Sequence, residues 1–207
     1  LPSPNFNERP VDVEIDLLVI HNISLPPGKF GGDHIDALFC NTLDCDADPY
    51  FDILRELRVS AHFFINRAGN VTQYVSLNDR AWHAGASQWN GRDDCNSFSI
   101  GIELEGTDTT PYMDAQYTSL TGLTHMLMQY YPAISQERIV GHNDIAPGRK
   151  VDPNVYFPWK RLADSGYGKW FGDTSNVLLP ADFNSSLALR IIGYDIKMHP
   201  PIPKQKN

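Results

Sequence analysis

An α/β (or α+β) fold is what this 207-residue chain predicts, as a single domain with a central mixed β-sheet flanked by helices and a loop-rich C-terminal extension. Three observations point there. Short apolar runs of strand length are interleaved with segments of helical period, two of the runs are joined by a hairpin turn, and beyond Asp164 Gly, Asn, Ser and Pro accumulate. The length suits one domain with a substantial core and is short for two. We therefore divide the chain into residues 1–164 and an extension, 165–207, of linker-like composition.

The elements follow in order. Leu1 to Pro10 is rich in Pro and Asn and reads as an irregular arm. Val13 to Ile20 alternates and then becomes continuously apolar, the pattern of a strand buried on both faces. Two prolines and three glycines make Pro26 to Gly32 a loop, and Ile35 to Phe39 and Tyr50 to Leu57 are short helices or turns. Ser60 to Asn66 and Val71 to Val75 are strands of a hairpin closed by Ala68-Gly69-Asn70. Ser99 to Leu104 is a further strand. Tyr117, Leu120, Leu123, Leu127 and Tyr130 form one stripe of a helix over Asp114 to Tyr131, stopped by Pro132. Arg138 to Gly141 is the last strand, Phe157 to Leu162 begins a helix, and Asn184 to Tyr194 has helical character that would pack back on the domain. Pro200 to Asn207 is expected to be a poorly ordered tail.

Composition excludes several function classes. The 17 basic and 25 acidic residues leave a formal charge of −8, which argues against a non-specific grip on nucleic acid or anionic membrane. No apolar run is long enough to cross a bilayer, so membrane insertion is not expected. Cys40, Cys45 and Cys95 are an odd number without a C-x-x-C pair, which reads as reduced thiols rather than a disulfide framework or a cysteine zinc cluster. That favours a cytoplasmic location; the alternative is periplasmic, if a signal sequence was removed. The acidic surface with no evident exposed apolar face makes a monomer the expectation.

The chemistry lies at strand ends. His21 follows an apolar run and precedes a Pro/Gly loop; His142 follows Ile139-Val140-Gly141 and precedes another. Such junctions give a side chain a rigid support and a view of a cleft. Asp152, in a loop closed by Pro147 and Pro153, can fold back toward His142. Two imidazoles and a carboxylate suit Zn²⁺ and leave a fourth position for water. A hydrolase of that kind needs a base and a cation for the developing oxyanion. Glu103 ends a buried strand, and Lys150 lies two residues before Asp152, on the same side of an extended loop. Glu105 shares the face of Glu103, so alternation alone leaves both open. No H-E-x-x-H helix supports a zinc peptidase of another lineage.

Several separated blocks resemble a known family. His21 to Gly28, Val59-Ser60-Ala61-His62, Arg80-Ala81-Trp82-His83-Ala84-Gly85, Phe98 to Asp108 and His142 to Pro153 look like the AmpD group of N-acetylmuramoyl-L-alanine amidases, over roughly Pro2 to Leu162. The resemblance implies a mixed sheet with helices on both sides, the fold of phage-type amidases and peptidoglycan recognition proteins. It implies zinc on His21, His142 and Asp152, Glu103 rather than Glu105 as the catalytic carboxylate, and Lys150 as the transition-state lysine. It makes residues 1–164 a zinc amidase catalytic domain acting on a muropeptide or peptidoglycan fragment. Asn22, Arg58, His62, Trp82 and His83 fall in blocks lining the family's cleft and are expected to contact substrate. Two features depart from the family. Asp94 stands where related enzymes often place an arginine near the sugar, and the stretches Gly166 to Trp170 and Ile192 to Asp195 are similar to the linker and opening of a wall-binding domain.

Overall fold

Leu17, Leu18, Val19 and Ile20 are all 0% exposed, so the run that reads as a two-sided buried strand is one. A computed structural model describes residues 1–196 of the chain; the expected tail Pro200 to Asn207 lies outside the described residues. In chain order the elements are β1 (Phe6–Glu8), β2 (Leu17–Ile23), α1 (His34–Phe39), β3 (Phe63–Ile65), β4 (Val71–Gln73), β5 (Asp79–Ala81), β6 (Gln88–Trp89) and β7 (Arg92–Asp93). Then come β8 (Ser99–Glu105), α2 (Asp114–Tyr130), β9 (Ile139–Gly141), α3 (His142–Ile145), α4 (Trp159–Asp164) and α5 (Ser185–Ile192).

The central sheet has five strands in the order β4-β3-β8-β2-β9. β3, β8, β2 and β9 run parallel and β4 closes the edge antiparallel, which makes the sheet mixed as expected. Alternation assigns the two faces. Leu18, Ile20, Ile100, Ile102 and Leu104 pack with Tyr117, Leu120, Leu123 and Leu127 of α2. Leu17 and Val19 look the other way, toward Ala84, Trp89, Phe98, Val140 and Ile145 of α3. Each such aliphatic side chain taken from water stabilises the fold by about 1.5–3 kcal/mol. His21, Ser99, Gly101 and Glu103 share the parity of Leu17 and Val19, and this places the chemistry on the face away from α2.

Some expectations shift. β2 begins at Leu17 rather than Val13 and continues through Ile23, so His21 sits inside the strand. Tyr130 is 76% exposed, whereas Tyr131 packs on the core cluster; one further residue of rotation brings Tyr131 nearer the centre of the stripe. Two small antiparallel ladders, β1–β5 and β6–β7, were not anticipated. The first secures the N-terminal arm, where Arg9 donates to the carbonyls of Leu77, Asn96, Ser97 and Ser99. The expectation of no exposed apolar face fails at α5, where Leu187, Ile191 and Ile192 are all exposed. No helix among the described residues is long and apolar enough to cross a membrane.

Candidate active site

The register of β2 on β8 pairs His21 with Glu103. Neighbours in register on parallel strands project from the same face, so the imidazole and the carboxylate stand side by side, 4.0 Å apart at His21 Nδ1 and Glu103 Oε1. β9 then delivers His142 to the same edge, as the first residue of α3. The loop after α3 returns Asp152, anchored by the Asn143 N–H donating to the Asp152 carbonyl at 2.9 Å. Tyr112 fastens the loop's far side by donating its hydroxyl to the Pro153 carbonyl at 2.6 Å.

Three donor atoms meet at one point. His21 Nδ1 lies 2.9 Å from His142 Nδ1 and 3.4 Å from Asp152 Oδ2, and His142 Nδ1 lies 3.0 Å from that same oxygen. The other ring nitrogens determine where the protons are. His142 Nε2 is 3.0 Å from the Ala84 carbonyl, which only accepts, so Nε2 carries the hydrogen and Nδ1 faces the cluster as a bare lone pair. Ser99 donates its hydroxyl to the Cys95 carbonyl at 2.5 Å, and its oxygen therefore accepts from His83 Nε2 at 3.2 Å. His83 Nδ1 is then an acceptor for the Nε2 hydrogen of His21, 2.9 Å away. His21 Nδ1 is bare as well. Two imidazole lone pairs and a carboxylate oxygen converge in this arrangement, a donor set suited to a cation. This buried group can hold a metal ion.

Electrostatics follow from burial. Burial first, then the neighbouring His142, lowers the pKa of His21 to about 4 and keeps the ring neutral, as a metal ligand must be. Burial works to raise the Asp152 carboxyl, but the adjoining His142 and His21 rings outweigh that and hold it well below the usual carboxylate range. Glu103 moves the opposite way. Burial, reinforced by the Asp152 charge, pushes it well above the ordinary value, and the Lys150 ammonium pulls it partly back. Lys150 is exposed and has no ion-pair partner among the described residues, yet its charge is felt at both Glu103 and His21.

Glu103 and Glu105 separate here. Glu105 is saturated: it accepts from the backbone N–H groups of Gly31 and Arg67. Glu103 Oε2 is buried with no partner among the described residues, as expected of a carboxylate kept for a proton that arrives with a substrate or water.

The remaining residues sort by exposure and partners. His62 is 0% exposed; Nδ1 accepts from the Gly101 N–H at 3.0 Å and Nε2 lies 3.1 Å from the Asp79 carbonyl. Enclosure removes it from the groups a ligand reaches in this arrangement. His83 is buried too, with both nitrogens committed to His21 and Ser99, so it is placed to orient the His21 ring and has no nitrogen free for a substrate. Gly101 makes room for it, since a Cβ there would collide with the His83 ring. Asn22 is partly buried and donates to Asp108 at 3.3 Å, and Trp82 donates its indole N–H to Asn7 at 2.6 Å. Arg58 is exposed and folds onto the carbonyls of Arg55 and Leu57. Asp94 is held by Arg80 at 2.6 Å.

A family model described as N-acetylmuramoyl-L-alanine amidase matches residues 11–155, a stretch that contains every residue of this cluster. The chain belongs to that amidase family. Among its relatives, the 1,6-anhydro-N-acetylmuramyl-L-alanine amidase AmpD of Haemophilus influenzae is 54% identical over 165 residues, covering 80% of this chain and 90% of the relative. A crystal structure of AmpD superposes with a TM-score of 0.77 at 55% identity, over 80% of this chain and 92% of that one. The amidase AmiD from E. coli, in complex with the substrate anhydro-N-acetylmuramic acid-L-Ala-D-gamma-Glu-L-Lys, gives a TM-score of 0.66 at 29% identity, over 93% and 81% of the two chains.

Within the amidase framework, three supporting residues escape sequence reading. Ser99 completes the histidine chain, Tyr112 pins the loop that carries Asp152, and Arg149 donates to Ala84 and Ala86 at 2.8 and 2.6 Å, clamping the carbonyl that orients His142. Arg149 had a signal in its position beside Lys150. Ser99 and Tyr112 act through partners remote in sequence and had none.

Proposed function

We propose that this chain is a zinc-dependent N-acetylmuramoyl-L-alanine amidase. It hydrolyses the amide between the lactyl group of (anhydro-)N-acetylmuramic acid and the L-Ala of the stem peptide, in peptidoglycan recycling or turnover. The observation that carries this reading is the convergence of two bare imidazole nitrogens and a carboxylate oxygen beside the partnerless, high-pKa Glu103. Two nitrogens and one oxygen, buried and with no thiolate, suit Zn²⁺ with an open position. Zinc bound by His21, His142 and Asp152 supplies Lewis acidity, lowering the pKa of water and polarising a carbonyl.

The protein groups do the rest. Glu103, with its raised pKa, accepts the proton of the attacking water and then delivers it to the alanine nitrogen as the C–N bond breaks. Lys150 places positive charge where the carbonyl oxygen becomes anionic. Asn22, Trp82 and Arg58 are offered as substrate contacts on the strength of the family resemblance. Residues 1–164 form the catalytic unit in this reading, working as a monomer because one chain supplies the whole cluster, and 165–207 form an extension. Three free cysteines favour the cytoplasm.

Mass spectrometry of a soluble anhydro-muramyl tripeptide incubated with the protein tests the proposal. Release of the intact tripeptide, abolished by a chelator and restored by zinc, is the expected result. A shortened peptide would mark a peptidase instead, and uncut substrate with confirmed zinc would mark binding without hydrolysis.

A further inference from the structure

The family match stops at residue 155, yet the chain returns to the site from far beyond it. α5 ends at Gly193, whose N–H donates to the Leu189 carbonyl at 3.1 Å and whose φ of 132° turns the chain back toward the domain. Gly193 lies against Trp89 so closely that an added Cβ would sit 2.8 Å from the indole, and its carbonyl accepts from the Asn90 N–H at 2.8 Å. Tyr194 follows, its ring edge-on to Trp89 at 5.2 Å between centroids.

This docking brings the Tyr194 hydroxyl to Asp144, donating to Oδ1 at 2.9 Å. The other Asp144 oxygen accepts from the Gly141 N–H at 2.7 Å. Gly141 is the residue before His142, and Asp144 lies in the single turn of α3 that His142 opens. The two carboxylate bonds therefore fix the strand-to-helix junction from which His142 projects, one from inside the domain and one from the extension. We propose that Tyr194 is a positioning residue for His142, and that the C-terminal extension acts as a strap holding the metal loop in its binding geometry. The inference rests on the zinc reading above. A free Asp144 oxygen would have to find water or swing toward it, and the junction would lose one of its two fixed points.

The test is zinc affinity, by competition with a chromophoric chelator, in the full-length parent, Tyr194→Phe, Asp144→Ala and the double variant. Tyr194→Phe keeps the ring on Trp89 and removes only the hydroxyl. It should weaken zinc about tenfold, the low end for losing a group behind a ligand. In the Asp144→Ala background the same change should have no further effect. Asp144→Asn, which retains one good acceptor, gives a second variant if Asp144→Ala does not fold, and should fall between. A Tyr194→Phe protein that binds zinc as tightly as the parent, whatever its melting temperature, overturns the strap and leaves the zinc site standing. A parent that takes up no stoichiometric zinc overturns both.

Discussion

Four buried histidines lie on one side of the sheet, and they divide into two kinds. His62 and His83 have both ring nitrogens engaged by the protein, whereas His21 and His142 each spend one nitrogen on a fixed acceptor and aim the other at a common point. Burial is nearly the same for all four, so burial does not distinguish ligand from scaffold. The hydrogen-bond accounting does. Two glutamates repeat the contrast on β8: Glu105 is satisfied by two backbone donors, and Glu103 retains an oxygen with none. In both comparisons the group proposed to carry the function is the one the fold leaves unfinished.

Substitutions can break that division. The largest effect is expected at Glu103→Ala, which should retain stoichiometric zinc and lose roughly 10²–10⁴-fold in kcat, read from product formation by mass spectrometry. Near-parental turnover would remove Glu103 from the proton path. His83→Phe comes next. It leaves His21 without its acceptor and should weaken zinc about 10–100-fold in a chelator competition, while the apo protein stays folded by circular dichroism.

Glu105→Gln should show the reverse pattern. With poorer acceptors for Gly31 and Arg67, the protein should lose about 2 kcal/mol in urea unfolding, with kcat within a few-fold of the parent. A thousandfold loss of turnover would mean the two glutamates had been assigned in the wrong order.

The last test is pH dependence in chelator-treated protein. Burial lowers His21 to about 4 and His62 to about 3, and places His83 well below its ordinary value. The folded state therefore binds fewer protons than the unfolded state between pH 6.5 and about 4. Stability is full above 6.5 and falls with acidification through that window, by up to about 1.4 kcal/mol per pH unit for each histidine. Urea unfolding at pH 7 and pH 5 measures it, and a flat profile would show that these rings are not held neutral.

Much of this was legible in the chain. Leu17 to Ile20 announces a two-sided strand, His142 stands at a strand end while His21 proves to lie inside β2, and the blocks resembling AmpD separate Glu103 from Glu105 before any coordinates do. The sequence set His21 and His142 apart from His62 and His83, but it took the latter two for substrate contacts; their enclosure was not legible, because it is set by partners far away in sequence. His142 is oriented by a carbonyl at Ala84, and His21 by a ring at His83 that is itself fixed by Ser99. His62 and His83 sit in family blocks, and that signal reports proximity to the site without saying which way a nitrogen points. The exposed apolar residues of α5 were hidden for a similar reason, since helical character in Asn184 to Tyr194 does not say whether a face is covered.

X-ray absorption at the zinc edge tests the central claim most directly. The account predicts a shell of nitrogen and oxygen scatterers at about 2.0 Å with two imidazoles and no sulfur. A third imidazole would mean that His83 belongs to the ligands, and a sulfur at about 2.3 Å would mean that a cysteine does. Either result would contradict the division between histidines that bind and histidines that support.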